Sequence, residues 1–336
     1  FVSPGGQYDV DGDGAGDYNL SDTTDSTTLQ TGLAVQQRSQ WTESFSTIAG
    51  VRLDYYDVEA RDPLAPEGVV AASDTYNDIL DSVQLSAVYK LTKSLNAYVA
   101  WSENDATSNS MAGGTTLTSA NEINPLNFAT ENTLYEVGLK YSPDSHWYGE
   151  VSVFDQTRSL RNRDGSNSGV KTKGAELQVF YQGQDIWVNA AYSYLDARFD
   201  DSASFQDTAQ VADAFDDSPS FAAFAPSDSL VQGIPSQIVS LNAGWQLTDD
   251  LQVGASALYT KSFPLDFLQT VFIRDQINID VNADYQITDD MRLRVDVINI
   301  TDEENWQPVF EGGYFGATLA MPNTPRHVQF TMQYAF

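Results

Sequence analysis

The sequence predicts an all-β protein: a transmembrane, antiparallel, up-and-down β-barrel of which about thirteen strands are visible. Three observations predict it. Apolar residues recur at a period of two along segment after segment, which is the mark of a strand with one apolar face. Short turns alternate with long polar loops, as in outer-membrane barrels, where the short connections are periplasmic. Aromatic residues gather at segment ends, as girdles at a membrane interface require.

The segments follow in order. The first, at 28–41, ends on Trp41 and passes through Thr42-Glu43-Ser44 into the second, at 45–60, which carries Tyr55 and Tyr56. A long loop at 61–79 precedes the third, at 80–91, and Thr92-Lys93-Ser94 turns it into the fourth, at 95–104, with Trp101. A loop at 105–130 leads to the fifth, at 131–142, which bears Tyr141, and Pro143 to His146 turn into the sixth, at 147–160, opened by Trp147. After a loop at 161–168, the seventh, at 169–182, carries Tyr181 and turns at Gly183-Gln184-Asp185 into the eighth, at 186–198, with Tyr192 and Tyr194. The loop at 199–235 is followed by the ninth, at 236–247, with Trp245, then by Thr248-Asp249-Asp250 and the tenth, at 251–261, with Tyr259.

The last three segments, which follow a loop at 262–274, alternate almost without a break. Ile277, Ile279, Val281, Ala283, Tyr285 and Ile287 alternate with Asn278, Asp280, Asn282, Asp284 and Gln286. Thr288-Asp289-Asp290 turns that strand into one where Leu293, Val295 and Val297 alternate with Arg292, Arg294 and Asp296, which makes a hairpin. Beyond a loop at 302–324, Val328, Phe330, Met332, Tyr334 and Phe336 share one face of the final strand. The polar faces are too rich in Asn, Asp, Gln, Ser and Gly for the dry core of a soluble sandwich, and they suit a hydrated or plugged lumen. Each segment has about the 9–11 residues that a tilted strand needs to cross a bilayer.

Composition narrows the function. In 336 residues, 17 Lys and Arg stand against 47 Asp and Glu, a net charge of −30 that argues against a nucleic-acid partner. There is no Cys, so disulfides, Cys-ligated zinc and a Cys nucleophile are excluded. No apolar run approaches the roughly 18 residues of a membrane-spanning helix. The only histidines, His146 in a short turn and His327 at the start of the last strand, have no Ser or Asp motif beside them, so an enzyme is not expected.

Several segments resemble those of TonB-dependent outer-membrane receptors. Ala34-Val35-Gln36-Gln37-Arg38-Ser39-Gln40-Trp41 followed by Ala49-Gly50-Val51-Arg52-Leu53-Asp54 is similar to a hairpin of that family. Glu131 to Tyr141, Gly169 to Leu177, Tyr192-Ser193-Tyr194-Leu195-Asp196-Ala197 and Val297-Ile298-Asn299-Ile300-Thr301-Asp302-Glu303-Glu304 resemble its successive strands, in order, and Pro325-Arg326 resembles its terminus. The resemblance implies a 22-stranded barrel filled by an N-terminal plug. No plug or energy-coupling box precedes the first segment here, and thirteen is odd whereas bacterial single-chain barrels are even. The expectation is therefore that residues 1–336 are the C-terminal part of a larger receptor, with 1–26 an extracellular, Asp/Gly-rich loop and 27–336 the barrel strands. Glu136, Lys140, Lys173, Glu176, Arg292, Arg294 and Asp296 are expected on the lumen face, where they can pair across strands and, by the resemblance, line the wall against the plug.

Candidate sites lie mainly in loops. Asp9, Asp11, Asp13 and Asp17, with Gly14, match the first half of a calcium loop, although Leu20 stands where a bidentate Glu belongs. A structural calcium and a plain solvated turn are both open readings there, and no other cofactor is expected. Phe205, Phe215, Phe221 and Phe224 in the longest loop are candidates for gripping a ligand, or for capping the neighbouring loops. Phe330, Met332, Tyr334 and Phe336 resemble the terminal signal read by the outer-membrane assembly machinery.

The resemblance implies an active transporter of the bacterial outer membrane that imports a ferric siderophore, a corrinoid or an oligosaccharide. Its partners would be a TonB-type energising complex acting through the plug, the assembly machinery, and lipopolysaccharide and outer-membrane lipid. The alternatives are a passive porin of 12–14 strands and a structural outer-membrane component with a closed channel.

Overall fold

The computed structural model describes residues 25–61, 73–107, 123, 129–161, 167–200, 203–204, 224–225, 227–265, 269, 271–310 and 319–335. Thirteen strands form one antiparallel sheet, each hydrogen-bonded to its neighbours in sequence: β1 (Asp25–Gln40), β2 (Phe45–Arg61), β3 (Ser73–Lys90), β4 (Leu95–Thr107), β5 (Ala129–Tyr141), β6 (Trp147–Arg161), β7 (Asn167–Gln182), β8 (Ile186–Phe199), β9 (Gln237–Gln246), β10 (Leu251–Thr260), β11 (Gln276–Thr288), β12 (Met291–Ile298) and β13 (His327–Tyr334). Among the described residues there is no helix, and no ladder joins β1 to β13. In this meander β1 and β13 run the same way, so pairing them directly would make a parallel contact. Three small ladders sit in the loops, pairing 203–204 with 224–225, 263–264 with 272–273, and 306–310 with 319–322.

The register sorts side chains onto two faces. On one, apolar residues stand opposite one another strand after strand: Leu33 faces Leu53, Val35 faces Val51 and then Val83, Val99 faces Val137 and then Val153, and Val281 faces Val297 and then Val328. Among the described residues nothing covers this face. Leu33 is 71% exposed and Phe330 70%, an apolar surface that a water-soluble monomer does not tolerate and a lipid bilayer does. Aromatic residues edge it at both ends, with Trp41, Tyr141, Trp147 and Trp245 towards the short turns and Tyr55, Tyr135 and Tyr194 towards the long loops. Trp147 and Tyr181, cross-strand partners, have ring centroids 4.6 Å apart.

The short turns repeat one device. The hydroxyls of Thr42, Thr92 and Thr248 each accept hydrogen bonds from the amides two and three residues on, at 3.0–3.3 Å, and Asp144 does the same for His146 and Trp147. A side-chain acceptor that mimics a backbone turn explains why Thr-x-Ser and Thr-Asp-Asp recur between strands.

All thirteen predicted strands are present, with some ends moved. β3 begins at Ser73 rather than at 80, because its ladder with β2 continues beyond the apolar band, where Thr75 and Asn77 need not be apolar and the alternation disappears. β4 likewise runs on to Thr107, and β5 begins at Ala129. β1 starts at Asp25, so the boundary at 26/27 falls inside a strand.

Candidate functional site

The polar face of the sheet carries the chemistry. Its first feature is steric. Six of its glycines stand directly opposite a long side chain on the next strand: Gly32 and Asp54, Gly50 and Gln84, Gly138 and Tyr98, Gly174 and Phe154, Gly244 and Trp187, Gly254 and Asn282. In each pair the long side chain folds flat over the glycine. A Cβ at Gly174 would lie 2.3 Å from Phe154 Cζ, and one at Gly244 would lie 2.3 Å from Trp187 Nε1. Aromatic rings therefore lie along the wall instead of projecting from it.

Three ionic clusters are built on this face. Asp54, which is buried, takes Arg52 Nε at 2.5 Å and Nη2 at 2.6 Å, and Gln30 Nε2 at 3.0 Å. On β4 to β6, the Lys140 ammonium lies 3.1 Å from Glu150 and 4.8 Å from the centroid of the Tyr98 ring. The Tyr98 hydroxyl bonds both Glu136 and Glu150, and Tyr148 donates to Glu150. On β11 and β12, buried Asp284 holds Arg292 at 2.9 Å and Arg294 at 3.2 Å, while Arg294 also reaches Asp296 at 2.6 Å. Thr331 and Gln333 complete a shallow, open depression beside these two arginines. The cationic partners are half exposed, so each pair adds little stability, on the order of 0–1 kcal/mol, and its effect is to fix side chains.

Towards the long loops the same face turns apolar. Val58, Ala60, Leu80 and Ile123 form a buried cluster with Tyr56 and Tyr76 against it, and the Ile123 amide donates to Asp74 at 2.7 Å. Between β12 and β13, Asn299 is 2% exposed in the left-handed region, φ 52°. Its side chain donates to the carbonyls of Glu303 at 2.9 Å and Thr324 at 3.4 Å and accepts the Glu303 amide at 3.0 Å, while its own amide donates to Asp280 at 2.8 Å. Asp302, also left-handed at φ 58°, accepts from the Arg326 amide at 3.1 Å. Two Asn/Asp positions that tolerate this backbone give the Asn299-to-Asp302 motif its physical reason. In the loop after β10, Asp275 accepts from Lys261, Tyr259 and the Ser262 amide, each at 2.8 Å. Lys261 above all, then Tyr259 and the amide, hold its carboxyl down to about 2.

The sequence-predicted residues fall out as follows. Glu136, Lys140, Glu176, Arg292, Arg294 and Asp296 share the polar face. Lys173 does not: it pairs with Asp155, at 3.7 Å, on the apolar side beyond the last apolar residues, among the ion pairs Lys171 with Asp200 and Arg198 with Asp196. An odd position on β7 lies with Leu177 and Val179, so the period of two contradicts the lumen placement. Tyr56, expected in a girdle, packs on the polar-face cluster for the same reason. Phe330, Met332 and Tyr334 share the apolar face of β13, exposed. His327 Nδ1 lies 2.9 Å from the Pro325 carbonyl, and His146 lies 3.5 Å from Asp144 in an exposed turn. Asp9, Asp11, Asp13, Asp17, Phe205, Phe215, Phe221 and Phe336 lie outside the described residues, and of Phe224 only the backbone is described. Sequence reasoning missed the glycine pairs. Their signal is a glycine in the polar phase of a strand, readable only once register is known.

Comparison with known proteins decides the family. A family model described as "TonB dependent receptor-like, beta-barrel" matches residues 2–300. The chain belongs to the TonB-dependent receptor β-barrel family. A probable TonB-dependent siderophore receptor, PiuA, of Acinetobacter baumannii is 21% identical over 300 residues, covering 86% of this chain and 39% of the relative. Among solved structures, the crystal structure of that species' siderophore receptor PiuA superposes with a TM-score of 0.74 at 18% identity, over 93% of this chain and 44% of the other. The closed form of the ferric-catecholate import receptor Fiu from E. coli K12 gives 0.69 at 18% identity, over 93% and 45%. The ferric yersiniabactin uptake receptor FyuA from Yersinia pestis gives 0.66 at 16%, over 94% and 47%. At these identities the structures show the fold alone. The chain thus spans less than half the length of the TonB-dependent receptors it matches. The barrel fold makes the apolar face the outer one and the polar face the inner wall.

Proposed function

We propose that this chain forms the C-terminal wall of a TonB-dependent transporter in the bacterial outer membrane, and that the receptor imports a ferric siderophore. The observation that carries the reading is the two-faced thirteen-stranded wall, apolar outside and ion-paired inside, in a chain of this family. The names of the similar receptors support iron chelates over corrinoids and oligosaccharides. An inner-membrane TonB-type complex supplies the work through a plug, so the receptor acts as a transporter and not as an enzyme. The passive-porin reading is disfavoured because the similar proteins are named as siderophore, import and uptake receptors. The loop residues Asp9, Asp11, Asp13 and Asp17 for calcium, Phe205, Phe215, Phe221 and Phe224 for ligand, and the Phe330 to Phe336 pattern for the assembly machinery belong to the same proposal, as does lipopolysaccharide at the outer rim.

The test is uptake of radiolabelled ferric siderophores by cells carrying the full-length gene, with and without the energising complex. Uptake that needs the complex supports the reading. Uptake that persists without it, together with steady conductance in planar bilayers, would establish a porin instead.

A further inference from the structure

One residue of a long connection is fixed where its own strands do not reach. Ile123 lies between β4, which ends at Thr107, and β5, which begins at Ala129, yet it packs on β2 and β3. Its seat is formed by Val58, Ala60 and Leu80, with Tyr56 and Tyr76 against them, and Ile123 is 3% exposed. These positions are on the inner face, in the phase of Asp54, because Asp54 stands opposite Leu80 and Val58 opposite Tyr76. Asp74 adds a second contact: one carboxylate oxygen accepts the Thr75 amide at 2.9 Å, and the other accepts the Ile123 amide at 2.7 Å. The seat thus takes an aliphatic side chain and the amide that carries it. Below it the inner phase of β3 is polar, with Ser82, Gln84 and Ser86, so an apolar seat in this hydrated wall answers to the residue that covers it. The ladder between β3 and β4 ends at Ser82 and Asn104, whereas β3 stays paired with β2 up to Ser73. Ile123 therefore links two parts of the rim that no ladder joins at that height.

We propose that Ile123 is a positioning residue, a peg that Asp74 and the apolar seat hold against the inner wall so that the β4–β5 connection is ordered before cargo arrives. Pegging divides this connection into the spans 108–122 and 124–128, and shorter tethers explore fewer conformations. Freedom already given up in folding is not lost again on binding, so the affinity for a cargo that touches this connection rises. The inference rests on the proposed transport of ferric siderophores and adds how one connection at the mouth is held ready for them. Ile123 acts through the connection and does not itself meet the cargo, since its side chain is buried in the seat.

The experiment uses the full-length receptor in detergent, with a ferric tris-catecholate and a ferric tris-hydroxamate as probes. Chymotrypsin reports on the connection, which contains Leu117, Leu126 and Phe128 as cleavage sites. Ile123→Ala is expected to speed cleavage there by about tenfold or more, as a partly vacated apolar seat implies, and to weaken chelate binding on the order of tenfold. Ile123→Val, which still fills most of the seat, is expected to restore both, and Asp74→Asn, which keeps an acceptor without the charge, to fall between. Urea unfolding of the barrel is expected to be unchanged, because Ile123 lies outside the thirteen-stranded sheet. Unchanged cleavage in Ile123→Ala would overturn the peg, and faster cleavage with unchanged affinity would overturn its part in binding; either result leaves the transport reading standing. A fall in the unfolding midpoint that tracks the loss of affinity would show a merely structural role and overturn the proposal too. A wild-type receptor that binds neither chelate overturns the transport reading and the positioning role together.

Discussion

Replacing Gly174 with Ala tests whether the glycines of the inner wall are there to receive the side chains opposite them. The added Cβ would lie 2.3 Å from Phe154 Cζ, 2.5 Å from its Cε1 and 2.8 Å from the Tyr194 carbonyl oxygen. The ring can rotate away, but the carbonyl belongs to the ladder and cannot. Overpacking of this kind costs about 1–3 kcal/mol. Removing a glycine from a strand returns roughly 0.5–1 kcal/mol, so the net loss is about 0–2.5 kcal/mol, and the loss relative to a glycine site with room for a Cβ is about 1–3 kcal/mol. Gly149 is the control, because it lies in the next strand with its nearest neighbour, the Gln178 oxygen, 3.9 Å from an added Cβ. Gly149→Ala should therefore be neutral or slightly stabilising. Urea unfolding of the full-length receptor in vesicles, followed by tryptophan fluorescence, measures both. Phe154→Ala added to Gly174→Ala should recover the share due to the ring and leave the share due to the carbonyl. If Gly174→Ala and Gly149→Ala agree within about 0.5 kcal/mol, the scatter of neutral substitutions, the glycine pairs have no steric role.

Asn299→Ala should destabilise by about 1–3 kcal/mol in the same assay, since it strands the Glu303 amide and two carbonyls at a 2% exposed site and forces a left-handed backbone on Ala. Asn299→Asp, which keeps the acceptor for Glu303, should lose less. The Asp275 staple should depend on pH with a fixed sign. Its folded-state value is depressed to about 2, so the stabilisation is complete above the unfolded carboxyl value of about 3.9 and is lost as pH falls through the window between them. Pepsin cleavage of the loop at 261–275 should rise across that window in the wild type, and should be high throughout it in Asp275→Asn. Deleting Phe336 from the full-length receptor should impair its insertion by the assembly machinery, measured as folded protein in outer-membrane fractions; unimpaired insertion would remove the proposed signal.

The sequence made the outer face legible and left the inner one obscure, for a reason that lies in the solvent on each side. Lipid imposes one rule on every outward position, so Ile277 to Ile287 or Val328 to Tyr334 announces a strand without any knowledge of its neighbours. Where lipid ends, the rule ends, and the first seven residues of β3 went unread although their ladder with β2 is continuous. At Lys173 and Tyr56 residue type and phase point to opposite faces, and phase decides: a lysine suits a hydrated lumen, but its odd position on β7 puts it beside Asp155 at the outer rim. The Asn299 motif was visible as a string of letters, and its reason, two left-handed residues tying β12 to β13, needed coordinates.

The inner wall obeys no such uniform rule, because each position answers to its two cross-strand neighbours and to whatever occupies the lumen. A carboxylate such as Asp284 is fixed by two arginines on the adjacent strand, and Tyr98 by a glycine opposite it and two glutamates beyond. Groups held this way are committed to the wall and have little left to offer a passing ligand. Selectivity must then come from positions where this mutual satisfaction is incomplete. By that criterion the stretches of wall around Asp54, Glu150 and Asp284, with their ion pairs closed, are scaffold.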